Sequence, residues 1–305
     1  MEYLEFVRIV EKEINRNLNG GMKARLYTAI KNNSQKRIGI IVEKPDVNIS
    51  PTIYLEDYYA KYHCGVEISE ISKEILMFYE NVKCESSWDT EILENYGKIR
   101  KKIVFKVVNT EKNEEFLNRV PHIDFLDLSL VFYVLLDANK EGTATMVIQN
   151  DNMEKWEICL QELLLTAIEN VNDLLPAQLF SMRDVVDAII DPFTEESNNI
   201  LENGLEDKKE SMYILSNQFR NLGAACMVYP GMLKMIGEIL DGDYYLLPSS
   251  IHEVILVPKR EGLDFQEMTN MVKEVNTKLV DTEEILSDHA YFYSCKKGKL
   301  LMREC

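Results

Sequence analysis

The sequence predicts an α+β fold in which hairpin-plus-helix units build a mainly antiparallel or mixed sheet with helices packed on it. Three observations predict it. Short apolar runs recur in pairs joined by turn-forming residues, most pairs are followed by a stretch with apolar residues at spacings of three and four, and Gly, Asn or Pro mark the joints. With 305 residues, 46% of them hydrophobic, the chain can bury one large core or two ordinary ones.

The first helix is predicted over Glu2 to Leu18, where Tyr3, Phe6, Val7, Val10, Ile14 and Leu18 share a face, and Gly20-Gly21 ends it. ARLYTAI and KRIGIIVEK then read as strands around Asn32-Asn33-Ser34-Gln35, a turn because Asn and Ser bond their own backbone. Helical segments are predicted over Ile53 to Tyr62, with Tyr54, Tyr58 and Tyr62 as an aromatic stripe, and over Glu67 to Val82, where Ile68, Ile71, Ile75, Phe78 and Val82 align. The strand KKIVFKVVN follows, then LSLVFYVLLD and TATMVIQN as a hairpin turning at residues 138–142.

A long helix opens at Asp151, with Glu154 three residues on as in a capping arrangement, and carries the stripe Trp156, Leu160, Leu163, Ala167, Val171 and Leu174. A second is predicted over Leu179 to Ile190, stopped at Asp191-Pro192 because the residue before proline disfavours helix. Residues 194–210 are polar and read as a loop or linker. Two more units follow. SMYILSN pairs with GAACMVY before a helix from Pro230-Gly231 to Leu240, and DYYLLP pairs with IHEVILV before a helix over Leu263 to Asn276. AYFYSC and KLLM close the chain as a hairpin around Lys297-Gly298.

Charge divides the chain. Residues 1–120 hold 19 Lys+Arg and 19 Asp+Glu, leaving 15 and 32 of the totals of 34 and 51 for residues 121–305, which therefore carry all of the net −17. The predicted domains follow that step: a charge-neutral region over 1–120 and an acidic one over 121–305. An acidic surface repels phosphate backbones and anionic lipid, so the reading has no nucleic-acid and no membrane partner and points to a protein partner through the acidic part. The start MEYLEFVRIVEKEINR lacks the basic, apolar character of a secretory leader, and six scattered cysteines match neither a disulfide framework nor a zinc spacing. A cytoplasmic protein without metal or cofactor is expected.

DLSLVFYVLLD, TATMVIQNDNMEKW, LLPAQL, MYILSN, GAACMVYPGML, DYYLLPSSIHEVILVP, MVKEVN and ILSDHAYFY, with YLEDYYAKY near residue 58, resemble the pattern of an uncharacterised domain-of-unknown-function family of anaerobic gut Clostridia, of the Lachnospiraceae type. The acidic second part is also, more faintly, similar to an uncharacterised Bacillus-type family. The resemblance implies a bacterial cytoplasmic protein. It supplies no reaction, ligand or catalytic residue.

Candidate site residues cluster in LPSSIHEVILVP. Strand alternation puts Ser250 and His252 on one face and Glu253 on the other, with Ser249 in the preceding turn. Same-face neighbours on a strand stand about 7 Å apart, too far for a serine to reach its base, and no G-x-S-x-G elbow occurs. His252-Glu253 opens like H-E-x-x-H, but Leu256 takes the second histidine's place, which removes the zinc reading. Tyr229 and Gly231 flank Pro230 where a helix begins, and its first amides face outward to any anion. The leading expectation is a non-catalytic binding or regulatory protein acting through protein contacts. The alternative is a small-molecule hydrolase or transferase using Ser250, His252 and Tyr229.

Overall fold

The structure, a computed structural model, describes residues 1–48, 50–83, 95–139, 142–190, 199–204 and 210–303. The chain divides into two compact units, Met1–Glu91 and Ile92–Cys305. Among the described residues all strand pairings are antiparallel, in three sheets, and the fold is α+β. The charge step at residue 120 falls inside the second unit, where strands on either side of it pair.

In the first unit, α1 (Tyr3–Asn17) buries Phe6, Val7, Val10 and Ile14, as its periodicity predicts. It packs with α3 (Ile68–Val82) on a sheet of order β1-β2-β3, formed by Lys23–Ile30, Lys36–Glu43 and Thr52–Tyr54. The predicted helix over Ile53 to Tyr62 is shorter. Ile53 pairs with Ile40 and is buried in the core, so the chain runs as strand through Tyr54, and α2 covers Glu56–His63. The tyrosine stripe is split accordingly: Tyr54 lies on a strand, whereas Tyr58 and Tyr62 pack against the core. In α3 the buried stripe runs through Ile71, Ile75 and Tyr79, and Phe78 is exposed.

The second unit holds two sheets. In one, β6 (Leu128–Asn139) is central, with β4 (Ile103–Asn109) on one side and β5 (His122–Phe125) followed by β7 (Gly142–Val147) on the other. The hairpin turn predicted between β6 and β7 includes residues 140–141, outside the described residues. The other sheet has the order β13-β12-β10-β11-β9-β8, from Lys299–Leu301, Tyr291–Ser294, Tyr244–Leu247, Val254–Pro258, Tyr213–Asn217 and Ala177–Ser181. Phe105, Phe132, Leu163, Val171, Leu215 and Leu246 belong to one buried cluster that joins the sheets to the helix over Leu160–Leu174.

Five expectations change here. The long helix from Asp151 is two helices, α4 (Asn150–Trp156) and α5 (Leu160–Leu174), because Glu157 is left-handed at φ 56°. Its start is fixed by Asn152, whose Oδ1 accepts from Gln149 N at 2.8 Å, and not by Glu154. The helix predicted from Leu179 begins as β8, with α6 confined to Met182–Ile190. GAACMV is a 3-10 helix over Gly223–Val228 instead of a strand. It is a run of small buried residues with no alternation, and both neighbours of β9 are already taken by β8 and β11. Within the predicted 194–210 loop, Ile200–Asn203 form a helical turn capped by Asn199 and ended by Gly204, with Ile200 buried, and residues 194–198 and 205–209 lie outside the described residues. The stop at Asp191-Pro192 also lies outside them. The last two helices are α7 (Met232–Ile239) and α8 (Phe265–Lys278).

Candidate functional site

The LPSSIHE segment is not a continuous strand. β11 starts only at Val254, and residues 248–251 lie beside residues 284–287 instead. Ile251 N donates to Glu284 O at 2.9 Å, Leu286 N to Ser249 O at 3.1 Å and Ser287 N to Pro248 O at 3.0 Å. This pairing bends the chain, and Ser250 and His252 touch across the bend. The contact is nevertheless backbone to side chain, with His252 N donating to Ser250 Oγ at 3.1 Å.

The imidazole is engaged at both nitrogens. Leu222 N donates to His252 Nδ1 at 3.3 Å, which requires a lone pair there and puts the ring proton on Nε2, 3.3 Å from Glu284 Oε1. A serine nucleophile needs a base nitrogen facing its hydroxyl, and neither nitrogen here faces Ser250. Ser249 is buried in the turn, and Glu253 is half-buried just before β11.

The loop that supplies Leu222 is built by Asn217 at the end of β9. Its Nδ2 donates to Asn221 O at 2.7 Å and its Oδ1 accepts from Phe219 N at 3.0 Å. Arg220 and Leu222 are left-handed at φ 50° and 55°. Gly223 follows where no side chain fits, since a Cβ would come within 2.1 Å of Ser216 Oγ and 2.7 Å of His252 O. Ser216 Oγ in turn donates to His252 O at 2.8 Å. The histidine is thus held by three separate stretches of chain.

A second polar cluster adjoins residues 284–289. The Asp127 carboxylate, in the turn between β5 and β6, accepts from Ser287 Oγ at 2.6 Å and from the Tyr291 hydroxyl. Asn109 Nδ2 donates to Leu286 O at 3.0 Å, and Asn276 Nδ2 to Ser287 O at 2.9 Å and Asp288 Oδ1 at 2.8 Å. Lys112 Nζ pairs with Asp288 Oδ2 at 3.0 Å. Burial and the Asp127 charge push the Tyr291 hydroxyl well up. Partial burial works to raise the Asp288 carboxyl, but the Asn276 and Lys112 hydrogen bonds outweigh it and hold the group below its usual range. In the sequence Asp127 shows only as an acid between two leucines in FLDLS, and Asp288 as the acid beside His289. His289 is exposed beside this cluster.

Tyr229 and Gly231 line a cleft of about 410 Å³ instead of a polar site. β5 contributes Ile123 and Phe125, α5 Leu164 and Ile168, and the Gly223–Val228 turn Met227 and Val228, while Leu233 and Lys234 come from α7. Asp124 and Lys234 supply its charge. The Tyr229 hydroxyl donates to Leu175 O at 3.0 Å, and burial raises its ionisation far above normal, so the ring is a fixed wall and not an acid or base. Burial also pushes the nearby Cys226 thiol up to about 12. Gly231 is left-handed at φ 78° and turns the chain into α7. A smaller cavity of about 330 Å³ continues along α7 past Gly237, Glu238 and Asp241.

Among the described residues no helix is long and apolar enough to cross a membrane, and no group of three or more His, Cys, Asp or Glu is placed to hold a metal ion. Cys64, Cys159, Cys226 and Cys295 are free thiols. No curated protein and no solved structure matches the chain. One family pattern does, from residue 3 to residue 295, and the chain belongs to that family, DUF5688, a family of unknown function.

Proposed function

We propose that the chain is a non-catalytic binding protein, and that a basic protein partner docks on its second unit with an apolar anchor lodged in the cleft between β5, α5 and α7. The observation that carries this reading is the cleft itself: its volume of about 410 Å³ and mostly aliphatic lining suit a buried anchor side chain. Residues 121–305 carry 32 acidic against 15 basic residues, which selects for a cationic partner. Lys234 at the mouth is paired with Glu238 at 3.5 Å, and Lys296, Lys297 and Lys299 flank Gly298 at one end. A basic partner is therefore directed to the α7 end, beside Glu238 and Asp241.

The absence of catalysis is supported by the His252 geometry, in which both ring nitrogens are occupied and Ser250 accepts a backbone amide. The reading sets the protein in a bacterial cytoplasm, supported by the family resemblance and the dispersed cysteines.

Native mass spectrometry of the protein purified gently from its own cells tests the proposal. The expected result is a second, basic protein at fixed stoichiometry, lost in a folded Leu233→Glu variant and retained in His252→Ala. A small molecule alone in the cleft would overturn the protein partner. Turnover that disappears in His252→Ala would restore the hydrolase or transferase reading at Ser250 and His252.

A further inference from the structure

The sheet of the first unit has two unlike faces. Ala24, Ile40, Val42 and Ile53 point to the core with α1 and α3. The opposite face is set by register: Arg25, Ile41 and Thr52 form one row, and Tyr27, Gly39 and Tyr54 the next. Residues directly opposite on paired strands share a face, so both tyrosines stand on the outside, their Cα atoms two strand spacings or about 10 Å apart.

Gly39 leaves no side chain between the rings. A Cβ there would come within 2.5 Å of the Thr52 methyl and 2.9 Å of Ile53 O, so β3 can cross β2 this closely only over glycine. Tyr27 is 49% exposed.

Charge sorts between the two sides. On this side stand Lys23, Arg25, Lys31 and Arg37 with the acid Glu43, which pairs with Arg25 at 3.0 Å, and the Arg37 charge also reaches Tyr3. The Lys31 ammonium lies 4.2 Å from the Tyr54 ring centroid and the Arg37 guanidinium 5.9 Å. The carboxylates that flank this sheet are turned to the helices. Glu11 accepts from Leu26 N at 3.1 Å, and Glu56 from Ile38 N at 3.0 Å and Tyr3 Oη at 2.9 Å.

We propose that this outer face binds a single-stranded nucleic acid, with bases stacking on Tyr27 and Tyr54 and phosphates paired by Arg25 and Lys31. The net charge of −17 does not decide the matter. All of it is carried by residues 121–305, and residues 1–120 are balanced at 19 Lys+Arg and 19 Asp+Glu, so the charges on this face govern. An acidic polypeptide would match the cations but leave the tyrosine row without a flat partner. A duplex keeps its bases stacked inside. Unpaired bases on a phosphate backbone satisfy both features at once.

The test is fluorescence anisotropy on the full chain with labelled single strands of DNA and RNA of about twelve nucleotides, within the span such surfaces cover. Binding to at least one is expected, weakening as salt rises. Tyr27→Ala should weaken it about tenfold while Tyr27→Phe preserves it, and Arg25→Ala should lower the salt slope by about 0.7. Tyr27 is exposed and outside the core, and circular dichroism checks that the variants fold. No binding at low salt, no effect of Tyr27→Ala, or equal affinity for duplex DNA or poly-glutamate would each overturn the proposal.

Discussion

Gly223 shows how one residue fixes the surroundings of His252. An added methyl has nowhere to go between Ser216 Oγ at 2.1 Å, Asn217 N at 2.6 Å and His252 O at 2.7 Å. Gly223→Ala is therefore expected to lower stability by about 1–3 kcal/mol through overpacking, read in urea unfolding. Tyr291→Phe should cost a similar amount, about 1–3 kcal/mol, because it leaves the Asp127 carboxylate without one of its two hydroxyl donors. The ionisations give opposite pH signatures. Asp288 is depressed, so its contribution is complete above its unfolded value of about 3.9 and is lost as pH falls through the lower folded value. Tyr291 is raised, so its contribution is complete below its unfolded value of about 10 and is lost as pH rises toward the folded one. In urea titrations across pH, Asp288→Asn should flatten the acid limb and Tyr291→Phe the alkaline limb. The acid limb of Asp288→Asn unchanged from wild type would remove the first assignment.

At the scale of elements, α1 does more than cover the first sheet. Asn15 Nδ2 donates to Ala24 O at 2.9 Å and Ala24 N donates to Asn15 Oδ1 at 3.0 Å, so one side-chain amide imitates a neighbouring strand on the open edge of β1. Asn15→Leu keeps the helix propensity but removes both bonds. It should destabilise the first unit by about 1–2 kcal/mol, measurable as faster hydrogen exchange at Ala24. Periodicity made α1, α3, α7 and the hairpin β1–β2 legible in the sequence, because each buries one clean face over several turns or strand residues. β3, β5 and β8 were not legible, because three to five residues carry too little period, and β8 pairs with β9 more than thirty residues further on. The candidate site divides the same way. The Ser250–His252 neighbourhood was visible in one segment, whereas Leu222, Glu284 and Asp127 join it only through loops whose geometry depends on Asn217 and on residues 284–287 lying beside 248–251.

At the scale of the molecule, the cores decide how the chain melts. Phe6, Val10, Ile40, Ile53, Ile71 and Ile75 form one buried cluster within residues 1–91, and Phe105, Phe132, Leu163, Leu215, Leu246 and Leu256 belong to another within residues 92–305, with no residue common to both. Cooperativity follows shared burial, so each unit should unfold as its own unit and calorimetry should resolve two transitions, the larger enthalpy belonging to the longer unit. Ile40→Ala removes a fully buried side chain from the first cluster and Leu256→Ala from the second, each costing about 2–5 kcal/mol locally. Each substitution should lower one transition temperature and leave the other in place. If both transitions moved together in either variant, the units would share a cooperative core, and residues 1–91 and 92–305 would have to be treated as one folding domain.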